Sequence, residues 1–307
     1  MLQYVMLALV WGSSFFFVSV GLRGLSPTQV VLARLGLGAV ALVVISLMTR
    51  QRPPRALSSW AHLFVVAMML CVVPFLLFAW AQQHVPSSLA SIINATTPLM
   101  TMVVALLALP AERPDRWKLG GLGVGFVGVL LVLDPFTGLE VGTDVFGYLA
   151  CLGATLSYGV AFVYMRRFVS PRGYTAIPVA TAQVGMAAVV MLIISPWIAS
   201  QPVAITPAIV MSMLALGVLG TGLAYVWNAN VVSRWGATVA STVTYLTPVV
   251  GITLGVIALG ERLSWYQPLG ALVIVGGILV SQRRIPRLHR ITTRTTASPS
   301  PEDDYQI

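Results

Sequence analysis

The chain has 307 residues, of which 57% are apolar and only 9% charged, and its mean hydropathy is +0.88. A typical soluble domain is about a quarter charged, so the composition excludes a water-soluble enzyme and indicates an integral membrane protein. The net charge of +9 would suit nucleic acid on a soluble chain; here its meaning depends on where the charges lie.

A helix needs roughly 20 apolar residues to cross the hydrocarbon core. Runs of that kind lie, in chain order, at about 3–22, 28–49, 59–82, 86–109, 116–134, 145–167, 174–197, 207–232, 237–259 and 266–282. They are continuously apolar rather than alternating, which excludes a β-barrel. The first run is full length and lacks a basic leader, so it reads as a span rather than a cleaved signal. Cys71 and Cys151 both fall in apolar stretches and there are three histidines, so no disulfide scaffold, metal centre or cofactor is expected.

The positive charges sort by connection. Arg50, Arg52 and Arg55 follow span 2; Arg113, Arg116 and Lys118 follow span 4; Arg166, Arg167 and Arg172 follow span 6. With Arg234 and five arginines of the tail, fifteen of the eighteen Lys and Arg residues fall on one side. Arg23 and Arg262 fall on the other, and Arg34 lies inside span 2. The positive-inside rule then places both termini in the cytoplasm, and nucleic acid is not a partner. Residues 285–307, rich in Arg, Thr, Ser and Pro, read as a disordered cytoplasmic tail whose basic part lies near anionic lipid.

The chain also repeats itself. Ser91-Ile92-Ile93-Asn94-Ala95-Thr96-Thr97-Pro98 resembles Ser241-Thr242-Val243-Thr244-Tyr245-Leu246-Thr247-Pro248. Glu112 answers Glu261, Trp11-Gly12 answers Tyr158-Gly159, and Arg34-Leu35-Gly36 answers Gln183-Val184-Gly185. The expected fold is therefore all-α and integral to the membrane, with ten transmembrane helices as two inverted five-helix repeats. The first repeat is assigned to residues 1–140 and the second to 141–284. Five is odd, so the second repeat enters the membrane upside down. That architecture belongs to transporters, with the site at the repeat interface near mid-membrane; a duplicated scaffold is the duller alternative.

Trp11-Gly12-Ser13-Ser14-Phe15, then Pro27 and Arg34, resembles the opening of an EamA-type unit of the drug/metabolite transporter superfamily. The two Pro-then-Glu fourth helices resemble it too, each followed by a Gly-rich fifth helix (Gly120, Gly121, Gly125, Gly128; Gly270, Gly276, Gly277). The resemblance spans about residues 3–284. It implies a ten-helix bacterial inner-membrane permease, commonly an exporter of amino acids or other small metabolites. One departure is that Leu109-Pro110-Ala111-Glu112 stands where the second unit has Gly260-Glu261.

Arg34 is the one charge well inside a span. An intramembrane charge costs roughly 2.5–3.5 kcal/mol on insertion scales, so Arg34 pairs, snorkels, or faces a wet cavity and draws a substrate carboxylate. Gln183 holds the matching place. Ser87, Ser91, Asn94, Thr97 and Thr101 share one face of helix 4; Ser241, Thr244 and Thr247 repeat it in helix 9. Such faces serve helix packing or line a cavity. Trp11, Trp80, Tyr158, Tyr225, Trp227 and Tyr245 lie near mid-span; with Asn228, three residues after Tyr225, they read either as packing or as flat cavity walls. Glu112 and Glu261, beside Arg113 and Arg262, read as interfacial ion pairs or as charges placed near the next helix's N-terminus, His84 as an interfacial residue, and Gly121-x-x-x-Gly125 as close helix packing.

The candidate substrate-binding residues are thus Trp11, Arg34, Trp80, Asn94, Thr97, Tyr158, Gln183, Tyr225, Asn228, Thr244 and Tyr245. No deep Asp or Glu serves a cationic drug or a proton relay, so no strict proton requirement is expected. The sequence reads as a monomeric secondary permease, not an enzyme, exporting amino acids or related small metabolites by alternating access. An exporter of drugs or other toxic compounds is the rival among transporters; an intramembrane enzyme is the rival of another class.

Overall fold

A computed structural model describes residues 2–51, 53–54, 56–109, 116–133, 143–228, 230–231, 234 and 243–281. Among them, eight helical rods are long and apolar enough to cross a membrane. These are α1 (Leu2–Gly21), α2 (Pro27–Met48), α3 (Leu57–Ala81), α4 (Ser87–Ala108), α5 (Arg116–Leu133), α6 (Val145–Arg172), α7 (Ala176–Ile198) and α8 (Pro207–Asn228). Two shorter apolar helices, α9 (Val243–Leu259) and α10 (Tyr266–Ser281), complete ten. Large apolar side chains such as Leu107, Leu192 and Ile257 point outward, as helices bathed in lipid require. Glu112 and the tail 285–307 lie outside the described residues.

Local chemistry fixes the helix ends. Ser26 caps α2 in a reciprocal box with Gln29, and Pro27 supplies the preset φ of the first turn. At α8 the Thr206 hydroxyl accepts from the Ile209 N–H, and Pro207 again opens the first turn. α3 and α8 each contain a wide π turn, at Met68–Val72 and Ala215–Leu223. In α3 the cause is Pro74, which cannot donate to Leu70, so the ladder slips by one. Ser157 of α6 donates to the Met69 carbonyl inside that turn (2.7 Å). In α8 the hydroxyl of Thr221 donates to the Leu216 carbonyl (3.1 Å).

The cross-links between loops establish the inversion. At one end Gln29 donates to the carbonyls of Ala199 and Gln201, Ala204 to that of Gly24, and Ser19 to Gln82. At the other end Ser59 bonds Tyr174, His62 bonds Tyr164, Thr175 bonds Gln51, and Arg167 donates to the Ala108 carbonyl. The second end carries Arg50, Arg166, Arg167 and Arg172 and is termed the basic end. α2 therefore runs toward the basic end and α7 away from it; α3 and α8, and α4 and α9, are opposed in the same way. The packing repeats this two-fold relation: α1 against α9 matches α6 against α4, and α2 against α8 matches α7 against α3. α2–α7, α4–α9 and α5–α10 are pairs that map onto themselves.

α5 and α10 meet backbone to backbone. A Cβ at Gly277 would stand 2.6 Å from the Gly121 carbonyl oxygen, and one at Gly270 would stand 2.8 Å from that of Gly128. In lipid, where apolar burial drives little association, such close approach is what holds helices together.

Candidate functional site

A cavity of about 400 Å³ lies between the repeats. It runs from Val18 and Gln82 to Ser170, Tyr174 and Ala176 at the basic end. Ser170 and Ala176 are exposed and form its rim. The far end is shut: Val18 is buried, Ser19 donates to Gln82 Oε1 at 3.1 Å, and the loops beyond are cross-linked. A second closure lies beside it. The Glu261 carboxylate, which follows α9, accepts bonds from the backbone N–H and hydroxyl of both Ser87 and Ser88 (2.5–2.9 Å). It thereby caps the N-terminus of α4 from the other repeat, where a negative charge is most favourable. The sequence reading places Glu261 near the N-terminus of the next helix; the carboxylate sits instead at that of α4, a helix distant in the chain.

Eight of the eleven candidate residues line this one cavity: Trp11, Arg34, Asn94, Thr97, Tyr158, Gln183, Tyr225 and Asn228. Trp80 does not, which corrects its assignment. Phe75, Phe78 and Gln82 of the same helix face inward at steps of three and four, and position 80 falls on the opposite side. Trp80 is 40% exposed and packs on His84, with ring centroids 4.5 Å apart. The side chains of Thr244 and Tyr245 lie outside the described residues.

Arg34 enters the cavity from α2, held by α3 and α8. Its Nε–H donates to Thr221 Oγ1 at 3.2 Å, and its Cζ lies 3.8 Å from the Phe75 ring centroid. Gly217 lets α2 come close enough for this: a Cβ there would stand 3.1 Å from the Arg34 carbonyl. A guanidinium over an aromatic face is stabilised by the ring quadrupole. Among the described residues, only one of its five N–H donors is engaged. Among the described residues no carboxylate pairs with it, so the charge remains available to cavity contents.

Gln183 stands at the matching point of α7, 149 residues on, and is 2% exposed. The same offset puts Val72 where Thr221 stands, and Ala224 where Phe75 stands. Neither can hold a polar head, and Gln183 Oε1 has no hydrogen-bond partner among the described residues. The remaining polar groups divide. Thr97 donates to the Asn94 carbonyl (2.8 Å), the acceptor that Pro98 leaves without an N–H, so its hydroxyl serves the break in α4 at Ala95–Thr96. Ser14 donates to Val10. The side-chain amides of Asn94 and Asn228 make no hydrogen bond to described residues and border the cavity.

The walls are aromatic. Phe15 meets Phe78 edge-on at 5.3 Å, Phe78 lies 6.2 Å from Tyr158, and Tyr158 lies 6.5 Å from Phe162. Tyr158 packs against two apolar clusters, each built from residues of both repeats. Phe75, Phe78 and Gln82 went unmarked in the sequence. Their spacing was a usable signal, but one shared with any packed helix face. Thr221 had none, because its role depends on a neighbour 187 residues away.

Comparison with known proteins agrees with this architecture. The model of the EamA-like transporter family matches twice, over residues 1–134 and 145–282. The Bacillus subtilis protein "Uncharacterized transporter YdfC" is 25% identical over 291 residues, covering 95% of this chain and 93% of its own. A Salmonella typhimurium protein named "Probable amino-acid metabolite efflux pump" is 23% identical, covering 90% of this chain and 92% of its own. A solved structure titled only as a crystal structure of a protein superposes with a TM-score of 0.65 at 19% identity, over 91% of this chain and 96% of that one. The chain belongs to the EamA-like transporter family, a family of multi-pass membrane permeases rather than enzymes.

Proposed function

We propose that the protein is a secondary permease that exports amino acids or closely related carboxylate-bearing metabolites across a bacterial inner membrane, working as a monomer. One observation carries the substrate class: Arg34 brings a positive charge into an aromatic-walled cavity, and among the described residues no carboxylate pairs with it and four of its donors are unspent. Burying a cation is expensive unless something pairs with it, and a substrate carboxylate is the partner that a planar guanidinium fits best. Asn94 and Asn228 supply further hydrogen bonds, and Trp11, Tyr158 and Tyr225 the walls. The relative named as an amino-acid metabolite efflux pump supports the same class.

The basic end is the cytoplasmic one by the positive-inside rule. The cavity, open there and closed opposite, is then in the state that loads from the cytoplasm. The inverted repeat supplies the second state, in which the two halves exchange roles.

The aromatic walls favour a second reading, an exporter of flat apolar drugs. A counterflow screen over amino acids, sugars and cationic dyes in proteoliposomes separates the two. Amino acids are expected to drive counterflow that dyes do not inhibit; dyes that exchange while amino acids stay inert would refute the proposal.

A further inference from the structure

Gln183 Oε1 is the buried side-chain acceptor left without a donor among the described residues. Folds rarely tolerate a buried carbonyl oxygen in that state without a use for it. What it lacks is specifically a hydrogen to accept. Arg34 does not supply one, since its Nε is turned to Thr221 and its Cζ lies over the Phe75 ring. Ser14 and Thr97 spend their hydroxyl hydrogens on Val10 and Asn94. Gln183 lines the same cavity as Arg34, with Oε1 itself buried at the wall, on the helix related to α2 by the repeat.

We infer that Gln183 is a specificity-determining residue that accepts a hydrogen from the substrate's ammonium, so that the cargo is read at two poles, carboxylate by Arg34 and ammonium by Gln183. This rests on the carboxylate reading of Arg34 and adds the second pole. A neutral acceptor suits the task better than a carboxylate would. It satisfies an ammonium without neutralising Arg34, and it gives a bare cation too little to offset repulsion by the guanidinium. A simple carboxylate leaves Oε1 unpaired, and a simple amine leaves Arg34 unpaired and faces its charge. Rejection of analogues that lack one group is the strong form of selectivity, because the site's own polar atom is stranded.

The test uses the full chain in proteoliposomes. Leucine and phenylalanine are compared with their deaminated acids, 4-methylpentanoate and 3-phenylpropanoate, and with their decarboxylated amines, 3-methylbutylamine and 2-phenylethylamine. The readout is inhibition of amino-acid counterflow. The native protein is expected to prefer each amino acid over its deaminated acid by roughly tenfold to a hundredfold. In Gln183→Leu that ratio falls to within about threefold, through weaker amino-acid binding. In Gln183→Glu, which keeps the shape, the amines gain potency; this arm also decides the matter should Gln183→Leu fail to fold. Equal weakening of amino acid and deaminated acid in Gln183→Leu would mean a packing role and would overturn the inference while leaving Arg34 untouched. A native protein that does not separate leucine from 4-methylpentanoate overturns it as well. If neither amino acids nor deaminated acids compete, the carboxylate reading falls and takes this one with it.

Discussion

α2 and α7 occupy equivalent places in the two repeats and pack on each other, yet their central residues are held in opposite ways. Arg34 has a hydroxyl on one side and an aromatic face on the other. Gln183, 149 residues later, has Val72 and Ala224 at the positions equivalent to those supports, and its Oε1 has no partner among the described residues. Duplication reproduces the frame, down to matching π turns in α3 and α8. The chemistry is placed by departures from the duplication. A symmetric pair of arginines would repel each other, and a symmetric pair of glutamines would hold no charge. One of each gives a cavity with a direction.

The severest way to break this comparison is to exchange the two residues. Arg34→Gln alone is expected to lower amino-acid flux roughly a hundredfold, as for loss of one partner of a desolvated charge pair. Adding Gln183→Arg does not restore it, since Val72 and Ala224 cannot orient a guanidinium. Recovery to near-native flux in the double variant would show that charge alone matters and that the supports do not.

Where the repeats remain symmetric, the effect is on folding rather than selectivity. Gly277→Val drives a side chain into the Gly121 backbone of α5 and is expected to destabilise by about 3 kcal/mol or more, beyond ordinary overpacking. The measurement is the melting temperature of the detergent-solubilised protein, and an unchanged value would contradict the backbone contact of α5 with α10.

A smaller change is expected at the closed end. Glu261→Gln removes the charge that Ser87 and Ser88 share, a loss of about 1.5–3 kcal/mol for a hydrogen bond to a charged group. The far end should then open more often. A Val18→Cys reporter in that background should react with an impermeant maleimide about tenfold faster, since 1.4 kcal/mol is a factor of ten; an unaltered rate would remove Glu261 from the closure. The mildest change is Thr221→Val, which costs Arg34 its one hydrogen bond. Substrate affinity measured by counterflow should weaken about threefold, near the 0.5–1.5 kcal/mol of a single net hydrogen bond.

Most of the frame was legible in the sequence because lipid makes helices the economical solution and charges mark the loops. The described helices fall close to the expected spans, with the expected end of the eighth and start of the ninth lying outside the described residues, and the glycines of α5 and α10 meet as the small-residue pattern implied. Arg34 stood out as a lone intramembrane charge. Its supports could not be read, because Phe75 and Thr221 look like any packed phenylalanine and any helical threonine until α3 and α8 are brought beside α2. Trp80 was misplaced for the converse reason: depth along a helix is visible in sequence, but which side faces the cavity is set by packing. Thr97 shows the same limit, since its hydroxyl turned out to serve the carbonyl that Pro98 left unbonded.

The central claim is that the Arg34 guanidinium meets a substrate carboxylate, and a cycle of two changes tests it. Counterflow inhibition by leucine and by leucine methyl ester is measured in the native protein and in Arg34→Gln. The account predicts that the native protein prefers leucine by roughly thirtyfold or more, as for a desolvated charge pair, and that Arg34→Gln binds the two about equally. The same preference for leucine in both proteins would contradict it.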